Sequence, residues 1–459
     1  MTPLTPVDQL FLLLEKRQQP MHVAGLHLYS FPEGADSKYI SELAEQLRSF
    51  SCPEKPFNQK LVSKFGQHYW EEDHQFDLEH HFRHEALPRP GRIRELLARV
   101  SAEHSNLMDR ERPLWEYHLI EGIRGKRFAL YMKVHHSMMD GVGAMRMTIR
   151  SLSKDPTATN MPPVWAMPPR QAKKKKPDAD GHVDWLDHVV RMSGSAGKQL
   201  STIPALAREV MNAIRKSSTD PNFVSAFQAP QCLLNQKVTG SRRFAAQSYP
   251  IERFKRIAKP FGATLNDVVL AVCGSALRNY LISQHALPDA PLIAMVPMSL
   301  RRDESEGGNQ VALILANLGT HIADPADRIE LVRSSVLDGK ETFSQLTPEE
   351  AINYTAMMMA PAGLNLLTGL VPQWQAFNVI ISNIPGPREP LYFNGARLEG
   401  MYPVSIPLDR VALNITLLSY TDQMEFGLTA CRRSLPSMQR LLDYIENGIE
   451  ELEVAANIK

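Results

Sequence analysis

The sequence predicts an α/β (α+β) protein built as two lobes. Its 459 residues, 43% hydrophobic and 22% charged, are enough for two substantial cores and have the balance of a globular chain. Helix-period and strand-period segments alternate in both halves. Between the halves, Lys154 to Asp180 holds six prolines and the run Lys173-Lys174-Lys175-Lys176, the composition of a connector. The expected division is an amino-terminal domain over 1–153, a linker with connecting helices over 154–237, and a carboxy-terminal domain over 238–459.

In the first half, Ile93, Leu96, Leu97, Val100 and Leu107 recur at helical spacing. Trp115–Ile120 and Arg127–His136 read as strands joined through Gly122 and Gly125 as a hairpin. Along the second strand, Phe128, Leu130, Met132, Val134 and His136 share one face, while Tyr131, Lys133 and His135 share the other. Gly141–Ile149 then reads as a helix with Asp140 at its start. Beyond the connector, Trp185–Ile214 is mostly helical with a break at Pro204 and an apolar stripe at Trp185, Leu186, Val189 and Val190.

In the second half, Thr264-Leu-Asn-Asp267 has the pattern of a capping box opening a helix, with Val268, Val269, Val272, Ala276 and Leu277 toward a core. Pro291–Leu300, Val311–Leu318, Phe377–Ile381 and Val411–Leu418 read as strands.

Charge and cysteine usage exclude several classes. The net charge of +1 offers no basic field for nucleic acid. Cys52, Cys232, Cys273 and Cys431 are far apart and form no CxxC, which points to a reducing compartment and to neither a disulfide framework nor a zinc site. The first residues lack a basic n-region and Asp8 interrupts any apolar h-region, so export is not expected. The longest apolar run, Ala356 to Leu370, is broken by Pro361, Gly363 and Asn365 and falls short of the roughly 18 residues of a spanning helix. The expected location is the cytoplasm, with peripheral attachment at the inner face of the cell membrane as the alternative. The four lysines fit a solvated linker or attraction to anionic headgroups, worth about 1 kcal/mol each. Asp178, Asp180 and Asp184 partly offset that attraction.

The chemistry concentrates in His135-His136-Ser137-Met138-Met139-Asp140-Gly141. Only His136 continues the apolar face of its strand, so the two imidazoles point apart and cannot easily share a metal ion. A histidine ending a buried strand beside an acid-capped helix suits a general base in an apolar cleft. Core packing of both rings is the competing reading, but four fixed positions in this order arise by chance in about one chain in a thousand. Asp140 also reads as a simple helix cap, which is compatible with catalysis.

The HHxxxDG pattern resembles the signature of the acyltransferase superfamily that includes chloramphenicol acetyltransferases, carnitine acyltransferases and peptide-synthetase condensation domains. Within it, the chain resembles the bacterial wax ester synthase/diacylglycerol acyltransferases over nearly its whole length. That likeness rests on Thr5-Pro-Val-Asp8-Gln-Leu-Phe11, Pro113-Leu114-Trp115, Asn266-Asp267 and Ser382-Asn383-Ile384-Pro385-Gly386-Pro387.

The resemblance implies two chloramphenicol-acetyltransferase-like domains with the active site in a tunnel at their interface. It also implies transfer of a long-chain acyl group from acyl-CoA to a fatty alcohol or diacylglycerol, by direct attack, with no metal or prosthetic group. The partners would be fatty acyl-CoA, the acceptor lipid and a membrane or lipid-droplet surface.

By the same resemblance His136 is the general base and His135 an orienting or packing residue. Gly141 would permit close backbone approach, and Gly143 would ease helix packing. Asn266 reads as a hydrogen-bond donor to the oxyanion or alcohol across the interface, or as part of the capping box. Ser382 and Asn383 would form an active-site wall. The segment Met357–Gly363 combines thioethers, small residues and a helix breaker, and Ala360 and Gly363 are candidate lining of the acyl channel, although a methionine stripe is more often core. Pro113-Leu114-Trp115 reads as core at a strand start. Two alternatives share these residues: a condensation-type or polyketide-associated acyltransferase using carrier-bound donors, and a non-catalytic lipid-binding protein.

Overall fold

The computed structural model describes residues 1–64, 66–168, 229–299, 311–344, 346 and 375–458. The chain opens with β1 (Thr2–Pro3), α1 (Pro6–Leu14), β2 (His22–Ser30) and α2 (Tyr39–Ser49). Strands β3 (Gln59–Lys64), β4 (Gln67–Glu72) and β5 (Phe82–Ala86) follow, then α3 (Ile93–Glu103). The hairpin β6 (Trp115–Ile123) and β7 (Arg127–His135) leads into α4 (Gly141–Arg150). Later come β8 (Arg242–Pro250), α5 (Ile251–Ala258), α6 (Leu265–Ser283), β9 (Ile293–Ser299), β10 (Val311–Asn317) and α7 (Pro325–Ser344). The last elements are β11 (Val379–Ile384), β12 (Tyr392–Phe393), β13 (Ala396–Val404), β14 (Leu413–Tyr420), β15 (Gln423–Cys431) and α8 (Arg440–Ala455).

Local chemistry places these boundaries. Thr5 and Asp8 form a capping box at α1, with Pro6 at the first helical position, and Thr264 and Asp267 do the same at α6. The β6–β7 hairpin turns where Gly122, Gly125 and Lys126 adopt positive φ, which glycine does at little cost. Helix α3 ends at Glu103, so Leu107 lies beyond it and is 42% exposed, outside the apolar stripe expected of it.

Two six-stranded sheets dominate, in the orders β12-β13-β2-β7-β6-β5 and β10-β9-β11-β14-β15-β8. Strands β12 and β13, at residues 392–404, complete the first sheet, with β13 antiparallel to β2 from Arg397↔Ser30 to Val404↔Ala24. The expected division at residue 238 therefore does not separate the two sheets. In return α3, from the first half, covers the edge strand of the second sheet. Ser101 Oγ accepts the Phe244 amide and Ser105 Oγ accepts the Arg242 amide, both at 2.9 Å.

The second sheet is buried on both faces. Ile293, Met295, Leu313 and Leu315 join the core that also contains Trp115, Leu130 and Val134. Their neighbours Ala294, Val296 and Ala316 pack with α5, α6, α7 and α8. Burial on both faces explains why these strands read as continuous apolar runs.

The start of the expected linker is part of the core: Trp165 is fully buried, stacks on Trp115 with ring centroids 5.5 Å apart, and donates its indole N–H to Phe50 O. Trp115 itself is buried and donates to Phe57 O at 2.8 Å, as the core reading of Pro113-Leu114-Trp115 expects. The four lysines, the stretch Trp185–Ile214 that the sequence reads as helical and the segment Met357–Gly363, with Ala360 and Gly363, lie outside the described residues.

Candidate active site

The period of two along β7 sorts its side chains as the sequence predicts. Phe128, Leu130, Met132 and Val134 enter the shared core, and Met132 and His136 line a cavity between the sheets. Tyr131 and Lys133 go to the opposite face, where Lys133 pairs with Glu116 at 2.9 Å. The strand ends at His135, opposite His22 on β2. His136 then leaves the ladder but keeps one strand-like bond, its amide donating to Met21 O at 2.9 Å. The His136 ring stacks on Phe11 of α1, centroids 3.9 Å apart and planes 18° off parallel.

The cavity, together with its mouth open to solvent, spans about 1150 Å³. One wall is β2 and β7, through Val23, Gly25, His27 and Met132, and the other is β9, β11 and β14, through Pro297, Ile380, Ser382, Ile384, Asn414, Thr416 and Leu418. Helix α4 contributes Gly141, Val142, Ala144, Met145 and Thr148, and residues 401–406 close a third side. Most of this lining is apolar, with polar groups at separated positions. His27 is 5% exposed, and burial depresses its imidazole to about 4, so the ring is neutral at physiological pH. A methyl at Gly25 would lie 2.8 Å from His27 Cε1, so the absent side chain makes room for that ring.

Of the other candidates, His135 and Asp140 stand as the sequence expects, one packed behind the strand and the other capping α4, while the readings of Gly141, Asn383 and Asn266 are corrected. His135 does not reach the cavity. It is fully buried on the other side of its strand, with Nε2 3.3 Å from Glu15 Oε1. Its Nδ1 accepts the Ser137 amide at 3.1 Å, which leaves the proton on Nε2, facing the carboxylate. Burial, only partly offset by Glu15, keeps this imidazole below its ordinary value and hence neutral.

Asp140 is not among the cavity residues. It is the N-cap of α4 and accepts the Gly143 amide. Gly141 lines the cavity, but a methyl there would meet no protein atom within 4 Å, so the glycine leaves space in the cavity and relieves no clash. Ser382 lines the wall while Asn383, its neighbour on β11, faces away: β11 runs through Ile384, and alternation gives Ile380, Ser382 and Ile384 to the cavity. Asn266 also does not line the cavity; it sits in the first turn of α6, and its side-chain Nδ2 is buried with no hydrogen-bond partner among the described residues.

His27, Asn414 and Thr416 carried no motif and were not anticipated, and Glu15 follows the recognised amino-terminal motif without belonging to it. Phe11 stood within that motif with no assigned task.

Among the described residues, Glu103, Glu116 and His118 bring possible metal-ligand atoms within 4.8 Å of one another. Arg99 pairs with Glu103 at 2.7 Å, Lys133 pairs with Glu116, and His118 lies between Glu85 and Glu116. The cluster reads as an ion-pair network away from the cavity.

A histidine at a strand end, an Asp-capped helix beside it and an apolar cavity between two sheets define an acyltransferase of the two-lobed HHxxxDG class. Comparison with known proteins narrows the class. Residues 4–269 match the wax ester synthase/diacylglycerol acyltransferase catalytic domain and residues 307–453 match the WS/DGAT C-terminal domain. The chain belongs to the wax ester synthase/diacylglycerol acyltransferase family. It is 50% identical to the O-acyltransferase WSD of Acinetobacter baylyi, over 99% of this chain and 97% of that one. The solved wax ester synthase/diacylglycerol acyltransferase from Marinobacter aquaeolei VT8 aligns over 100% of both chains at 52% identity, with a TM-score of 0.83. A condensation domain of the calcium-dependent antibiotic synthetase shares the fold alone, at 15% identity and a TM-score of 0.56.

Proposed function

We propose that this acyltransferase moves a long-chain fatty acyl group from acyl-CoA to a fatty alcohol or a diacylglycerol, with His136 as general base. The observation that carries this is the position of His136, on the wall of a largely apolar cavity lined by both sheets and by α4. Each CH₂ of a bound chain removed from water contributes about 0.8 kcal/mol, so the cavity supplies the affinity and the imidazole supplies the chemistry. The acceptor hydroxyl attacks the thioester carbonyl while His136 takes its proton. The tetrahedral intermediate then collapses, the C–S bond breaks, and the imidazolium returns the proton to the departing thiolate, leaving an ester and free coenzyme A. These steps use no metal or prosthetic group.

Support for work in the cytoplasm, at the inner membrane face or on a lipid-droplet surface comes from the chemistry of the acceptors, which reside in lipid. All four cysteines are free, and no helix among the described residues is long and apolar enough to cross a membrane.

The test offers radiolabelled acyl-CoA with hexadecanol or with diacylglycerol and follows acceptor-dependent release of coenzyme A. His136→Ala should lose at least about 10²-fold in kcat with the fold retained. Wild-type turnover in that variant would remove the base assignment, and acyl transfer from a carrier protein but not from acyl-CoA would replace the donor.

A further inference from the structure

Phe11 of the amino-terminal motif has no direct role in the reaction above, yet it and the turn that follows it converge on the catalytic histidine. Phe11 covers one face of the His136 ring at 3.9 Å. One turn later, Glu15 caps the same helix, its amide donating to Phe11 O at 3.0 Å. The Glu15 carboxylate then accepts the Met21 amide on Oε1 at 3.1 Å and faces His135 Nε2 at 3.3 Å. Met21 in turn holds the His136 amide through its carbonyl. Arg110 closes the other oxygen, with Nε and Nη2 at 3.1 and 2.9 Å from Oε2, and also donates to Leu12 O at 2.7 Å.

We propose that Glu15, anchored by Arg110, is a positioning residue that sets the plane and depth of the His136 imidazole through Phe11, Met21 and His135. The inference rests on His136 acting as the base. One carboxylate ties together the helix that stacks on the reactive ring, the residue before β2 that holds its backbone and the histidine that precedes it. Burial alone would raise the Glu15 carboxyl; the nearby His135 ring and the hydrogen bonds from the Met21 amide and Arg110 outweigh it and hold it at about 2. It stays ionised across the working pH range, so the tether does not titrate where the enzyme turns over. Displacing a reacting group by about 1 Å can cost on the order of 10²-fold in rate. Loss of the tether therefore acts on kcat more than on substrate affinity.

The experiment compares full-length Glu15→Gln, Phe11→Leu and the double variant with wild type, using acyl-CoA and hexadecanol. Ile449→Val, a core change in α8, serves as the control for general destabilisation. Glu15→Gln should lower kcat about 10- to 100-fold with KM within about twofold. The double variant should lose less than the product of the two single losses, because both substitutions release the same ring. Ile449→Val should retain wild-type kcat.

The proposal falls if folded Glu15→Gln keeps its kcat, if its loss appears in KM, or if the two losses multiply. Should Glu15→Gln not fold, Phe11→Leu and Arg110→Met form the cycle under the same criteria. Failure of the base assignment itself would show separately, as full activity in His136→Ala.

Discussion

A methyl group added at Gly143 would lie 2.8 Å from Asp140 Oδ1 and 3.1 Å from Met139 Cγ. The second glycine of the motif thus admits the carboxylate that caps α4, a role the sequence does not announce because only the folded turn brings residues 140 and 143 together. Two opposed terms decide the effect of Gly143→Ala. Alanine gains about 1 kcal/mol of helix propensity over glycine, and a displaced aspartate cap costs about 1 kcal/mol. Stability should change little, while the start of α4, which carries Gly141, Ala144 and Met145 to the cavity, shifts. Severalfold lower kcat at a nearly unchanged melting temperature is the expected outcome. A more stable enzyme with full kcat would show that the cap adapts without cost. His136 could be picked out because the motif named two histidines and the strand period gave only the second to the apolar face. His27 could not, because a lone histidine in an apolar strand carries no signal until the opposite wall is in place.

Elements were more legible than single side chains wherever the cause was local. The β6–β7 hairpin follows from Gly122 and Gly125, and the start of α6 follows from Thr264 and Asp267, whose reciprocal bonds are 3.3 and 2.8 Å. Thr264→Ala removes one of these and should lower stability by about 1 kcal/mol. Because α6 places neither Thr264 nor Asn266 on the cavity wall, kcat should stay within about twofold, which a thermal melt and a steady-state assay check together. A collapse of kcat at unchanged stability would put this helix terminus back in the active site.

Asn383 shows the limit of local reading. The Pro-Gly-Pro turn suggested a strand end before Ser382, but pairing of Ser382 with Thr416 and Asn383 with Leu417 carries β11 on to Ile384. The three further residues in the ladder keep the alternation, which points Asn383 away from the cavity.

At the scale of the whole molecule, the link between the lobes was the part the sequence concealed. A strand from residues 396–404 lying beside β2 is a contact across more than half the chain, and no periodicity encodes its partner. That strand also brings Tyr402 to the second sheet, where Ser248 Oγ accepts from the Tyr402 hydroxyl at 2.9 Å and donates to Glu425. Glu425 is fully buried, and burial raises its carboxyl to about 7 despite these hydrogen bonds.

The sign follows from the two states. Between pH 4.5, the ordinary value, and about 7, the folded chain keeps a proton that the unfolded chain releases, so stability falls as pH rises through this window. At 1.36 kcal/mol per pH unit, the loss is on the order of 3 kcal/mol by neutral pH and above. Glu425→Gln keeps the shape of the protonated acid and removes the titration. Melting temperatures of variant and wild type should therefore coincide near pH 5, with the variant higher at pH 8. Parallel curves over that range would mean that Glu425 ionises freely in the folded protein, and that this seam between the sheets is open to water.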